Sequence, residues 1–182
     1  MIDNAASVLA PWSPFYVLIG SAAASLTGLM FVVITLVMGT SRRQNAEDGI
    51  STFSTPTVVH FGAALLVAAI LSAPWHLLVH PAIILDLVGL LGVAYIVRIM
   101  GKAKRFTSYD PDVEDWIWHW ILPFIAYAVV LAGGISLPFV PASALFVIAF
   151  GEAVLVVVGI HNAWDIVTYI ALGNADDPPA SK

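Results

Sequence analysis

The stretch SALFVIAFGEAVLVVVGIHNAWDIVTYIAL, residues 143–172, decides the fold. It contains neither Lys nor Arg, and its only carboxylates are Glu152 and Asp165. A transmembrane helix needs about 20 consecutive, mostly apolar residues, and this stretch exceeds that length. Working back along the chain, four more apolar runs occur at about 14–38, 56–75, 81–100 and 116–137. The expected fold is all-α, a polytopic integral membrane bundle of five transmembrane helices within residues 1–173. Residues 174–182, with Asp-Asp-Pro-Pro, are expected to form a disordered cytoplasmic tail.

Composition agrees. The 182 residues are 60% hydrophobic and 10% charged, and the mean hydropathy is +0.93. Soluble domains run near 45–50% apolar and about 25% charged, and a small globule has too much surface to hide such an excess. The lipid bilayer is therefore the first partner. A formal net charge of -5 with only 7 Lys+Arg argues against nucleic acid. The chain has no Cys, which excludes disulfides and thiolate chemistry. No HExxH, GxSxG or P-loop pattern is present, so the reading leans away from an enzyme. No duplicated half suggests an inverted-repeat carrier.

Proline and charge punctuate the runs. Thr55-Pro56 and His80-Pro81 each suggest proline at the first position of a helix. Asp110-Pro111-Asp112, followed by Glu114 and Asp115, suggests a capped helix start. Arg42 and Arg43 follow the first run; Arg98, Lys102, Lys104 and Arg105 follow the third; Lys182 ends the tail. With five crossings all of these fall on one side, so the rule that cytoplasmic loops carry the cations places the N-terminus outside and the C-terminus in the cytoplasm. Trp12 and Trp75 then lie at outer boundaries, and Trp116, Trp118, Trp120 and Trp164 at inner ones. The first run lacks a basic leader and reads as a retained span. A bacterial inner membrane is the expected location.

This topology converts sequence position into depth. Glu152 falls near the bilayer midplane, where an ionised carboxylate is costly and an ionisable residue marks a functional-site candidate. Held neutral, it would take up and release a proton as its hydration changed. Tyr127, Ser25 and Thr27 fall at similar depth and offer hydroxyls to it. The competing reading is a neutral acid that only ties helices together through hydrogen bonds. Gly20, Ala24 and Gly28 recur at four-residue spacing and suggest a close helix-packing face, within a subunit or between subunits. Gly89 and Gly92 suggest another close approach, while Gly133-Gly134, between prolines, suggests either packing or a hinge.

Five histidines raise a cofactor question. His60, His119 and His161 lie toward the inner side on three helices, with Asp165 one turn from His161. Facing histidines ligate haem or transition metals, and a carboxylate behind an imidazole orients a ligand or a proton relay. On the outer side His76, His80 and Asp86 form a weaker metal candidate, because the prolines around the pair disturb a regular helix. No particular cofactor follows from these patterns.

Three functions remain open at this level. The leading expectation is a small membrane transport protein, carrier or channel, proton-linked through Glu152 and self-associating through the small-residue face. The alternatives are a haem- or metal-binding electron-transfer subunit that uses the inner histidines, and a non-catalytic assembly or regulatory subunit bound to another membrane protein.

Overall fold

A computed structural model describes residues 5–38, 43–103 and 113–173. Among them every regular element is helical, and no strand occurs. A short α1 (Ala5–Leu9) passes through a 3-10 turn (Ala10–Trp12) into α2 (Ser13–Met38). Then come α3 (Arg43–Ser72) and α4 (Val79–Ala103). Helix α5 (Val113–Trp116) runs through one π-helical turn (Ile117–Ile121) into α6 (Leu122–Ser136), and α7 (Pro141–Gly173) closes the set. The helix-start signal at 110–112, the cations Arg42, Lys104, Arg105 and Lys182, and the tail 174–182 lie outside the described residues.

Among the described residues four helical stretches are long and apolar enough to cross a membrane: Ala5–Thr35, Val79–Gly101, Ile117–Ser136 and Pro141–Thr168. Pro56–Ser72 is also apolar but shorter. The helix start expected at Pro56 is not one. Pro56 stands inside α3, because the polar segment from Arg43 is itself helical and joins the apolar run without a break. Proline inside a helix removes one ladder hydrogen bond, and the rest of this long helix carries that loss. Pro81 is likewise not the first residue, since α4 begins two residues earlier at Val79, but it stays within the first turn. Pro141 opens α7 after a tight turn in which the Phe139 and Val140 amides donate to the Ser136 carbonyl.

The helices pack as α2–α3–α7–α6–α4, with α3 and α4 also touching through their hairpin. Helix α7 is therefore central, between α3 and α6. Small residues set these approaches. A β-carbon at Gly20 would stand 2.9 Å from Ala68 Cβ, which brings α2 onto α3. Gly89 packs on Leu131, Gly92 on the Tyr127 ring, and Gly134 on Asp86, so α4 and α6 run antiparallel in close contact. Gly133 meets Ile148 on α7 in the same way, and α6 stays helical through both glycines.

On α2 the packing face is Tyr16, Gly20, Ala23 and Met30, all buried. Within the subunit only Gly20 of the expected Gly20–Ala24–Gly28 face is used: it points inward, whereas Ala24 and Gly28 are exposed. A four-residue step overshoots one helical turn by about 40°, so two such steps carry the series off the seam. A β-carbon at Gly28 would meet nothing within 4 Å.

Candidate functional site

The centre of α7 carries Glu152, whose side chain is 0% exposed. Gly151 beside it lets α7 approach α6 until a β-carbon at 151 would stand 2.9 Å from the Ala126 carbonyl oxygen and from Val130 Cγ2. Both Glu152 carboxyl oxygens are buried and have no hydrogen-bond partner among the described residues. Tyr16 on α2 is within electrostatic reach of this carboxyl, yet its hydroxyl donates to the Leu145 carbonyl at 3.5 Å.

The hydroxyls expected to accompany Glu152 are engaged elsewhere. Ser25 is exposed and donates to the Ser21 carbonyl at 2.9 Å; Thr27 donates to the Ala23 carbonyl at 2.8 Å. Helical Ser and Thr satisfy themselves this way by bonding back one turn. Tyr127 does share Glu152's level, since Gly151 packs at Ala126 and Val130, but its hydroxyl pairs with His60 Nδ1 at 3.0 Å.

His60, on α3, is fully buried, and its other ring nitrogen, Nε2, has no hydrogen-bond partner among the described residues. The His60 and Tyr127 rings lie 5.7 Å apart between centroids. Tyr127 is held on its far side by Gly92 of α4, where any side chain would run into the ring. His119 lies within electrostatic reach of His60. It sits on the π-helical turn Ile117–Ile121. Such single π-turns are rare and concentrate at functional sites.

His161 makes a separate set of contacts at the same end of the bundle. Its ring stacks flat on Trp118, with centroids 3.8 Å and planes 5° apart. Its Nδ1 lies 3.1 Å from Asp165 Oδ2, and its Nε2 lies 3.8 Å from Glu114 Oε1. The expected inner histidine trio is thus divided, with His60 and His119 near each other and His161 clamped between two carboxylates. Among the described residues no group of three or more His, Asp or Glu stands as a metal site. The outer candidate separates for a visible reason. α4 begins only at Val79, so exposed His76 and His80 do not share a helix, while Asp86 lies against Gly134 of α6.

No protein-family model matches this chain, and no curated protein or solved structure resembles it significantly. The geometry alone carries the functional reading.

Two buried polar residues, Asn162 and Thr57, escape a search built on charges and histidines. Asn162 is 2% exposed, and neither its amide oxygen nor its amide nitrogen has a hydrogen-bond partner among the described residues. Thr57 is fully buried on α3. Gly159 packs against Phe61, so one turn further toward the π-turn end Asn162 and Thr57 stand on facing stretches of α7 and α3. The signal for Asn162 is an amide directly after His161 in an apolar run.

Proposed function

We propose that this chain is a five-span integral membrane protein that moves protons, or a solute coupled to them, through its helical interior, with Glu152 as the proton-binding group. Pro56–Ser72 supplies the fifth crossing, its end extended by the helical residues before it. The N-terminus lies outside and the C-terminus in the cytoplasm, in a bacterial inner membrane. The observation that carries the reading is Glu152 itself, buried in the central helix, with neither carboxyl oxygen hydrogen-bonded among the described residues. A carboxyl kept only for stability would be expected to hold hydrogen bonds, because a buried polar group without them is costly. An ionisable residue deep in a membrane bundle that forgoes them fits a group that must change partners.

Among the described residues no group of three or more His, Asp or Glu stands as a metal site, so the alternative metal-binding reading has no assembled ligand set in its support. Self-association, where it occurs, has Ala24 and Gly28 available on the outer side of α2, because Gly20 is consumed by α3. The decisive experiment reconstitutes purified protein in liposomes with a trapped pH-sensitive dye and imposes a membrane potential. Glu152→Gln should abolish the proton flux while the protein keeps its helical circular dichroism. Undiminished flux in a folded Glu152→Gln protein would falsify the proposal.

A further inference from the structure

We infer that Tyr127 and His60 form the cytoplasmic half of the proton path that begins at Glu152, a reading that rests on the proposal for Glu152. Two packing registers support it. Along α7, Gly151 faces Ala126 and Val130 of α6, so Glu152 and the Tyr127 backbone share one depth. Gly159 faces Phe61 of α3, so His60 lies level with the stretch around Gly159. At about 1.5 Å rise per residue, that is roughly 11 Å nearer the cytoplasmic end. The Tyr127 side chain and its 3.0 Å hydrogen bond to Nδ1 bridge the interval.

The chemistry at each end suits transfer. No hydrogen bond among the described residues ties the Glu152 carboxyl to another helix, and the transfer requires its side chain to turn from the Tyr16 side toward the hydroxyl of Tyr127, whose backbone lies at the same level. In the tautomer that carries its proton on Nε2, His60 accepts from Tyr127 at Nδ1. A proton leaving Glu152 is taken up by the Tyr127 oxygen as the original hydroxyl proton passes to Nδ1 and the Nε2 proton departs inward. Glu152 is left as a carboxylate, Tyr127 as a phenol, and His60 as the opposite neutral tautomer. The Tyr127 hydroxyl then rotates, and the imidazole resets by turning about its Cβ–Cγ bond, so that inner water takes the Nδ1 proton as it gives one to Nε2. Nε2 is the open end of this pair, without a hydrogen bond among the described residues. His119 on the π-turn lies within electrostatic reach of His60, and Tyr95 of α4 within that of Tyr127. One turn inward, Asn162 offers an amide oxygen and amide protons with no hydrogen-bond partner among the described residues, able to orient water arriving from the cytoplasm.

The test uses the full chain in dye-loaded liposomes under an imposed potential, with Tyr127→Phe and His60→Gln as variants. Each should lower proton flux at least tenfold and retain wild-type circular dichroism. In His60→Gln, added imidazole should restore part of the flux, which a purely structural loss would not show. Undiminished flux in either folded variant overturns the relay, and if Glu152→Gln still abolishes flux, the reading of Glu152 survives. Undiminished flux in Glu152→Gln instead removes both. Should one variant misfold, the other decides. A measurement on wild-type protein needs neither: in infrared difference spectra across a pH jump, with isotope-labelled histidine, a histidine band should change together with the Glu152 carboxyl band. A carboxyl change without any histidine change overturns the relay.

Discussion

The Tyr127 hydroxyl and His60 Nδ1, 3.0 Å apart, join α6 to α3 on either side of the central helix α7. Both side chains are buried, so each satisfies the other where water does not reach. Tyr127→Phe deprives His60 Nδ1 of this bond. The expected loss is about 1–2 kcal/mol, the range for a buried hydrogen bond tempered by the modest values found between membrane helices. Unfolding of the detergent-solubilised variant by denaturant checks it; a variant as stable as wild type would show that the bond contributes nothing to the fold.

Glycine substitutions should separate contact from open surface. Gly92→Ala places a methyl group inside the Tyr127 ring and must push α4 off α6, a form of overpacking that costs about 1–3 kcal/mol. Gly28→Ala meets nothing within 4 Å and replaces a poor helix former by a good one. Melting temperatures measured side by side should fall for the first and hold or rise for the second. A reversed order would contradict the α4–α6 packing.

The helices are legible in the sequence because a bilayer demands runs of about 20 apolar residues, and such runs stand out by length alone. Depth is legible too: Glu152 and Tyr127 share a level by register. Rotation is not. Helices apolar all round carry no amphipathic stripe to say which side is inside, so depth alone pairs Ser25 with Glu152 although Ser25 is exposed. Drift explains why only Gly20 of the Gly20–Ala24–Gly28 series lies on the seam within the subunit, which departs from a strict four-residue step and runs through Tyr16, Gly20, Ala23 and Met30. The His60–Tyr127 pair depends on α3 and α6 flanking α7. That order follows from side-chain packing among similar helices, and spacing along the chain does not encode it.

At the π-turn end, the carboxylates around His161 should matter less than the ring beneath it. Glu114 and Asp165 have 73% and 47% exposed side chains, and exposed ion pairs contribute about 0–1 kcal/mol. Asp165→Asn or Glu114→Gln should therefore barely move the unfolding midpoint. His161→Ala removes the imidazole stacked on Trp118, an aromatic contact of about 0.5–1.5 kcal/mol beyond its buried area. A change in tryptophan fluorescence should accompany that variant, and a larger stability loss in Asp165→Asn than in His161→Ala would reverse this ranking.

The absence of cysteine makes orientation easy to measure. Ser72 and His76, exposed at the α3–α4 turn, should accept a membrane-impermeant maleimide from outside intact cells when replaced singly by Cys. Glu114→Cys, exposed beside the π-turn, should label only after the membrane is opened. The opposite pattern would invert the topology derived from the cations, and labelling of both sites from one side would remove a crossing.

Glu152 separates function from stability most sharply. Its carboxyl contributes no hydrogen bond among the described residues and fills a place in the interior of α7 against α6. Replacing a buried polar group that lacks hydrogen bonds by an apolar one of similar length removes a desolvation penalty of about 1–3 kcal/mol. Glu152→Met should accordingly raise resistance to unfolding while proton flux is lost, the trade expected where an active group is held at the expense of the fold. A carboxyl whose purpose is to tie helices together predicts the reverse, a clear loss of stability in Glu152→Met with Glu152→Gln nearer wild type. Unfolding curves of the two variants, read beside their flux, therefore decide between a proton carrier and a structural tie.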